Sequence, residues 1–378
     1  MNKKKICFIC DSFISDKSAT ITGPMVQTYL IGKELSQRGW DVHYVAINHE
    51  GKELVTETHE GLTVHWIRRR KYVPLMHYRK VKKILETIRA DFYYQRGRDV
   101  LAGVTAYHAL KQGAKFIWAS AGDSGIEKGK YSKQIAKKSL PFFLKFLLMC
   151  EARINDLVYE YGIRNASRIV VQTEYQRRKV CQIFRLDSII IKSGHPAPKP
   201  VERQWPLKVL WIGTIKPVKR PELFIELASL CKELNCEFWM AGQFVDKKLQ
   251  SFLLRRMENL CNLKYLGSVP FHESQELISK VHILINTTEE GYEGIPNSFV
   301  QAWMTGTVTF SLYTDPDGII EKYKLGIRTD SLSAMKNEVE KMIENQENWN
   351  GMSANTRKFG VENFSLEEVT NQIQDLIN

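Results

Sequence analysis

Short apolar runs alternate with amphipathic helical stretches along almost the whole chain, and this rhythm limits the possible folds more than any other feature. A strand-length apolar run, a helix and a second run form a βαβ unit, and repetition of that unit builds a parallel sheet with helices on its faces. The first strand is expected at 6–9. After a loop ending at Gly23, Val26, Leu30, Ile31 and Leu35 recur at helical spacing, and Gly39 stops that helix before a strand at 42–47. Further strands are expected at 62–67, 92–95, 116–119 and 169–172.

A second series begins at Lys208, with strands expected at 209–212, 237–240, 283–286 and 308–312. Pro221 suits the first position of a helix whose Leu223, Phe224, Leu227, Ala228 and Cys231 share one face. Between the two series, IIIKSGHPAPKP at 189–200 ends a strand and then places three prolines within five positions. Proline fixes φ and removes an amide donor, so this stretch reads as a linker. At 378 residues the chain is longer than one hydrophobic core usually supports. Two α/β domains are therefore expected, over 1–197 and 198–359.

Lysine and arginine total 54 against 42 acidic residues, a formal charge of +12 that favours anionic partners. No zinc-finger, helix-turn-helix or RNA-binding aromatic pattern accompanies the charge, so nucleic acid is not an expected partner. Seven scattered cysteines, an odd number, point to free thiols in a reducing compartment, and so to the cytoplasm. Cys7 and Cys10 form a CxxC, but residues three apart on a strand point to opposite faces and cannot readily chelate together. No apolar run reaches the roughly 18 residues that span a bilayer. The opening MNKKKICFICDSF lacks a small-residue cleavage site and reads as a strand rather than a leader.

Ligands of open parallel sheets bind beyond the carboxyl ends of the strands. The loop after 209–212 runs Gly213, Thr214, Ile215, Lys216, Pro217, Val218, Lys219, Arg220, a glycine turn followed by three cations. Either it attracts a diphosphate, with lysine as a compact charge and arginine as a forked donor, or it is a solvated basic loop. The segment NTTEEGYEGIPNSFVQAWMTG at 286–306 follows a strand, holds Gly291 and Gly294, and opens a helix with Phe299 and Trp303 on its buried face. The amides at that helix start, at the positive end of its dipole, form a phosphate site. Glu293 just ahead of it suits hydrogen bonds from sugar hydroxyls, with a capping carboxylate as the alternative.

EGIPNSFVQAW resembles the E-G-x-P-N-x-x-x-E-A segment of the retaining family 4 glycosyltransferases. Their architecture is GT-B: two facing Rossmann-like α/β domains with parallel sheets and a C-terminal helix that crosses back to the N-terminal domain. Gly213 with Lys219 resembles the family's phosphate loop. Gly23, YYQRG at 93–97, NASRIVVQTEYQ at 165–176, YLGSVP at 265–270 and the closing FSLEEVTNQIQDLIN fall where the family has loops, strands or its last helix. That placement implies that residues from about 360 to 378 belong with the N-terminal domain. The resemblance also implies metal-independent, cofactor-free hexosyl transfer with retention, from a UDP- or GDP-sugar to a glycan or lipid-linked acceptor in cell-surface polysaccharide synthesis. By position, Lys219 would neutralise the leaving diphosphate and Glu293 would orient the donor sugar. Gly213, Thr214, Lys216, Arg220, Gly294, Ile295, Pro296, Asn297 and Ser298 would surround the donor, Gln301 would hold the ribose, and Leu266 to Val269, including Gly267, would bracket the base. Gly23, Arg96 and Asp123 would face acceptor and donor from the N-terminal side.

Three positions depart from the family pattern. Gln301 stands at the second motif glutamate, Thr214 where an arginine usually follows the loop glycine, and no histidine follows the strand at 116–119. Lys216 or Arg220 can supply the missing charge, and Asp123 or Arg96 the missing sugar contacts. A non-catalytic sugar-nucleotide-binding partner of another transferase, or a GT-B epimerase, would share the same architecture. Asp315-Pro-Asp317 spells a DxD, but a hard cation needs further oxygen ligands, and a turn ending at Gly318 explains the spacing better. The nine histidines show no ligand spacing, so no metal is expected. Finally, KGKYSKQIAKKSLPFFLKFLLM at 128–149 sets lysines against a strongly apolar stretch, and RRRKYVPLMHYRKVKK at 68–83 is similar. Both suit an anionic membrane surface; a core helix behind a solvated loop is the alternative.

Overall fold

The computed structural model describes residues 3–16, 21–48, 55–68, 78–97 and 99–377. The chain divides into two compact units, one of residues 1–19, 23–192 and 369–378 and the other of 20–22 and 193–368. In the first unit β1 (Lys5–Cys10) leads through α1 (Gly23–Gln37) to β2 (Asp41–Asn48), the antiparallel pair β3 (Thr56–His59) and β4 (Leu62–Arg68), and α2 (Tyr78–Ile88). Alternation continues through β5 (Phe92–Arg96), α3 (Leu101–Gln112), β6 (Lys115–Ala119), α4 (Lys130–Ala136), α5 (Phe142–Arg164), β7 (Arg168–Val171), α6 (Glu174–Phe184) and β8 (Ile189–Ile190). Among the described residues these strands form one sheet in the order β3-β4-β2-β1-β5-β6-β7-β8, parallel except for β3.

The second unit runs β9 (Leu207–Ile212), α7 (Pro221–Leu230), β10 (Cys236–Ala241), α8 (Lys247–Met257), β11 (Leu263–Tyr265), α9 (Phe271–Ser279) and β12 (Ile283–Asn286). It continues with α10 (Asn297–Thr305), β13 (Val308–Leu312), α11 (Ile319–Lys322), β14 (Gly326–Thr329), α12 (Leu332–Glu344), α13 (Gln346–Asn363) and the first residues of α14 (Leu366–Ile377), which from Val369 belongs to the first unit. Its described strands are all parallel, in the order β11-β10-β9-β12-β13-β14.

All ten strands with expected bounds are present, as is the strand end expected at the start of 189–200, which is β8, and the three that were not expected, β3, β11 and β14, are edges of the two sheets. Edge strands are short and half solvated, so they need no continuous apolar run and leave little signal. Central strands bury both faces. Val209 and Trp211 pack into a core with Phe224, Phe238 and Met240, while Leu210 faces the opposite core of Leu284, Phe299 and Trp303. The same alternation separates Cys7 from Cys10. The Cys7 side of β1 faces the core under α3, whereas the Cys10 thiol donates to Thr28 of α1 at 3.5 Å, and burial pushes the Cys10 pKa up to about 12.

The boundary differs from the expected one at 197/198. The first unit ends at Lys192, because His195 already pairs with Ser365 and the carbonyls of Pro196 and Pro198 accept from Gln275 and Arg357 of the second unit. Residues 360–368 likewise stay with the second unit, and only from Val369 does the last helix join the first, where Arg38 donates to Asn371 and Gln374. No helix among the described residues is long and apolar enough to cross a membrane. Residues 69–77 of the basic stretch 68–83 lie outside the described residues.

Just after the linker the chain is fixed within the second unit by a cationic and aromatic lock. Arg203 donates to the carbonyls of Val281 and Thr305 at 2.6 and 2.8 Å, and the fully buried His282 ring sits 4.7 Å from Trp205 and 4.9 Å from Trp349. His282 Nδ1 accepts the Lys208 amide at 3.0 Å. Burial, with the charges of Arg203 and Lys208 nearby, pushes the His282 pKa down to about 4. An unfolded histidine titrates near 6.5, so the unfolded chain takes up a proton that the folded chain refuses. The stability held by neutral His282 is therefore complete above pH 6.5 and is lost as pH falls from 6.5 toward 4, on the order of 2–3 kcal/mol. Urea unfolding across that window is expected to show this slope, and His282→Gln to flatten it.

Candidate functional site

In the second sheet the chain turns outward from the middle, since β10 and β11 follow β9 on one side while β13 and β14 follow β12 on the other. Where strand order reverses, the loops beyond the carboxyl ends diverge and leave a crevice. Here those loops are 213–220 after β9 and 287–296 after β12. Parallel pairing of Ile283 with Val209 and Leu284 with Leu210 aligns the strands so that both loops leave at the same end.

The first loop is built on glycines. Gly213 has φ +154 and Gly242, at the end of β10, has φ +147, both costly for a side-chain-bearing residue. A Cβ on Gly242 would stand 1.8 Å from the Gly213 carbonyl oxygen, so the two strand ends touch backbone to backbone. The Gly213 amide donates to Ala241 O at 3.1 Å and the Gly242 amide to Gly267 O at 2.8 Å, which ties the ends of β9, β10 and β11 into one shelf. Gly267 itself is left-handed, with φ +76. Gly242 escapes a reading of the sequence, although its place directly after an apolar strand is the available signal.

The chain then makes a single 3-10 turn over Pro217–Lys219, and Arg220 takes a left-handed conformation before Pro221 opens α7. Thr287, fully buried, fixes this turn: its hydroxyl donates to the Lys219 carbonyl at 2.7 Å and accepts from Trp211 Nε1 at 3.0 Å. From that fixed backbone the Lys219 ammonium reaches back over Gly213, lying 3.1 Å from where a Cβ there would be, and meets Glu293 Oε1 at 3.0 Å. The two side chains are 16% and 20% exposed, so the pair is shielded but reachable. Thr288 donates to the other Glu293 oxygen at 3.4 Å, and Thr288 is in turn held by Asn286, whose side chain closes a tight turn directly after β12.

The other two cations are also held. Lys216 donates to the Tyr292 hydroxyl at 2.8 Å with its ammonium 4.9 Å from the ring, and the Arg220 guanidinium lies 5.6 Å from the Tyr313 ring. A solvated basic loop would leave these side chains extended into water; instead each docks on a group from the loops after β12 or β13. Thr214 is half-buried in the same turn. Glu293 is not a cap of α10, since the N-cap position is Pro296, with no side-chain cap and no acidic residue in the first turn. Gly294, Ile295 and Pro296 are buried, and Asn297 and Ser298 form the half-buried first turn. A helix start of this kind presents amides and the positive end of the dipole.

Gln301 lies one turn on, 6% exposed, with its amide nitrogen donating to Ser274 Oγ on α9 at 2.9 Å. The sequence gives no sign of this partner. Gly267 is tied to the shelf through Gly242, and Val269 is half-buried against the core that carries α10. In the first unit, Gly23 opens α1 and Arg96 ends β5, on the loops after the two strands where that sheet reverses, β1 and β5. Asp123 is buried after β6, where its carboxylate accepts from Gln176 Nε2 at 2.8 Å and its carbonyl from Lys179 at 2.8 Å. Asp315 accepts the amides of Ile320 and Glu321 at 2.8 and 3.2 Å, so the first aspartate of the DxD serves the start of α11. Among the described residues no group of three metal-ligating side chains converges.

No sequence family and no curated protein matches the chain by sequence. Solved structures do match by shape. Anabaena Alr3699/HepE in complex with UDP-glucose is similar over 98% of both chains, with a TM-score of 0.71 at 13% identity. The catalytic domain of starch synthase IV from Arabidopsis thaliana, bound to ADP and acarbose, is similar over 100% of this chain and 99% of that one, with a TM-score of 0.70 at 13% identity. The lipopolysaccharide outer core galactosyltransferase WaaB is similar over 99% of each, with a TM-score of 0.60 at 13% identity. The chain has the GT-B fold. In GT-B terms, the β9 and β12 loops belong to the second of its two Rossmann-like domains.

The glycine shelf predicts an order of sensitivity. Gly242→Ala must displace the Gly213 backbone and is expected to cost about 1–3 kcal/mol or more. Gly213→Ala meets only the mobile end of Lys219 and should cost less, although its φ is still unfavourable. Chemical denaturation of both variants measures this, and equal losses would contradict the backbone contact as the cause.

Proposed function

We propose that the chain is a retaining glycosyltransferase of the family 4 kind, moving a hexose from a nucleotide-diphosphate sugar, UDP- or GDP-linked, to a glycan or lipid-linked acceptor in cell-surface polysaccharide synthesis. The observation that carries this reading is the Lys219–Glu293 pair, a shielded cation and carboxylate 3.0 Å apart at the reversal point of the second sheet. The GT-B fold supports it, as do structures of similar shape that hold UDP-glucose or ADP.

In this reading the site stores its two working charges against each other until the donor binds. An arriving diphosphate takes the place of the Glu293 carboxylate on Lys219, and Lys216 or Arg220 with the amides at Asn297 and Ser298 complete its neutralisation. Stabilising the leaving group in this way supplies the positive charge that a metal would otherwise bring, and no cofactor takes part. Glu293, released from the lysine, accepts hydrogen bonds from the donor sugar and orients it. Gly213 and Thr214 let the diphosphate approach the backbone, Gln301 contacts the ribose, and Gly267 with Val269 brackets the base. Gly23, Arg96 and Asp123 are assigned to the acceptor side by the family resemblance. The work is cytoplasmic, at the inner face of the cell membrane.

A thermal-shift panel of UDP-, GDP- and ADP-sugars identifies the nucleotide, and turnover is expected to survive EDTA. With that nucleotide, Lys219→Ala should weaken the diphosphate form by about 10- to 100-fold, the worth of one charged hydrogen bond at 1.5–3 kcal/mol, and leave the free nucleoside unchanged. Equal losses for both would overturn the phosphate assignment. Glu293→Gln should nearly abolish turnover while binding the nucleotide diphosphate at least as tightly as the wild type, because Lys219 is then unopposed.

Gln301→Glu exchanges neutral for charged hydrogen bonds to the ribose and should leave turnover within an order of magnitude. An inactive wild type switched on by Gln301→Glu would instead identify a disabled binding relative.

A further inference from the structure

The lysine-rich and apolar stretch at 128–149 is not a core helix. From Phe142 to Glu151 no residue of α5 is buried, and Phe142 and Phe143 are 88% and 72% exposed. The second half of the same helix is anchored firmly. Ala152, Asn155, Asp156, Tyr159, Gly162 and Ile163 are buried, and a Cβ on Gly162 would lie 2.5 Å from the Ala102 carbonyl carbon of α3. Asp156 also accepts the amides of Tyr131 and Ser132 at 2.8 and 3.0 Å, which fixes the start of α4 beside it. A rigid base therefore holds an apolar helix end out into solvent.

Phe142, Phe143, Leu144, Phe146 and Leu147 are all exposed, and at about 100° per residue they cover roughly 200° of the helix circumference. A partner helix covers a stripe about half as wide. The α4 end near this tip carries Lys137 and Lys138, both exposed, with Lys145 donating to the Ala136 carbonyl at 2.9 Å, and exposed Lys133 stands further along α4. No acidic residue occurs between 128 and 150. A second copy related by two-fold symmetry would set lysine against lysine, because such an interface uses the same patch twice. An anionic surface matches the lysines, and a fluid apolar one matches a tip that is apolar on more than one side. Eight residues of helix, 142–149, extend about 12 Å, too short to cross a bilayer yet suited to the 5–10 Å that interfacial elements penetrate.

We propose that α4, the turn after it and the first half of α5 dock the protein on an anionic lipid bilayer, with Phe142 and Phe143 entering the headgroup boundary and the lysines binding lipid headgroups. This names the surface behind the membrane-side location and does not depend on the transfer reaction. Sedimentation of the full chain with vesicles of phosphatidylcholine alone, or with added phosphatidylglycerol, tests it at low and high salt. Binding is expected to require the anionic lipid and to weaken with salt. Phe142→Ser with Phe143→Ser should weaken it about tenfold or more, and Lys137→Gln with Lys138→Gln about tenfold, with thermal unfolding unchanged because all four side chains are exposed. An environment-sensitive fluorophore on Cys150, in a Cys181→Ser/Cys261→Ser background, should shift to the blue when anionic vesicles are added; all three cysteines are exposed. Wild-type affinity in the Phe142/Phe143 variant would overturn the proposal. So would lipid-free cross-linking of two copies through Cys150 without vesicle binding, which would assign the patch to a dimer.

Discussion

Hydrogen bonding between β9 and β12, side by side and running in the same direction, is the constraint from which the candidate site follows. The two strands are distant in sequence, and only their pairing sends the loop at 213–220 and the loop at 287–296 out of the same end of the sheet. Backbone bonds then do the fine positioning. The Glu289 amide donates to the Val218 carbonyl at 3.0 Å and the Thr287 hydroxyl to the Lys219 carbonyl, so the cationic turn is stitched to the β12 loop before any side-chain charge is considered. The Lys219–Glu293 ion pair is thus a consequence of the fold rather than its cause. That order matters, because the backbone that positions both groups does not depend on their pairing, and a shielded charge that leaves one partner needs another in its place.

The charges at the site are unevenly balanced. Each cation of the loop has a partner from a neighbouring loop, a carboxylate for Lys219, a tyrosine hydroxyl and ring for Lys216, and a tyrosine ring for Arg220. Tyrosine contacts hold a cation in place without neutralising it, so only Lys219 faces a full opposing charge. An anion entering this loop competes with one carboxylate and with no other formal charge among these contacts. Two further carboxylates that the sequence brings to notice have partners within the fold: Asp315 accepts two backbone amides, and Asp123 accepts from the Gln176 side chain.

Much of this was legible in the sequence because buried parallel strands carry continuous apolar runs and glycine marks the turns beyond them. Gly213, Lys219 and Glu293 stand where the strand and helix pattern places carboxyl-end loops, and Phe299 and Trp303 announce the buried face of α10. The hidden parts are those in which a side chain finds a partner far away in sequence. Thr287 and Ser274 look like ordinary loop and helix residues, and nothing local indicates that one clamps Lys219 or that the other takes the Gln301 amide. Gly242 was hidden differently. Its necessity comes from the neighbouring strand end, since the carbonyl of Gly213 occupies the space its side chain would need. The linker boundary moved for a similar reason, because prolines mark where chain direction is restricted and not which core the chain packs against.

The same packing determines which part of the site can yield when the ion pair exchanges. At one end of the β12 loop, Asn286 belongs to a central strand. At the other, α10 is immobilised by Trp303, fully buried with Phe299, Phe359 and Phe364 at ring distances of 5.2 to 6.0 Å, and by Gly360 of α13, where a Cβ would stand 2.3 Å from the Trp303 backbone. A helix packed backbone to backbone cannot shift without opening its core. Between these fixed ends, Gly291 is exposed, left-handed at φ +73, and has nothing within 4 Å of its Cβ position. Breaking Lys219–Glu293 therefore requires only rotation of the Glu293 side chain or adjustment of the loop about Gly291. The helix start that follows is held by its core, so on the proposed reading its amides would present the same geometry before and after an anion arrives.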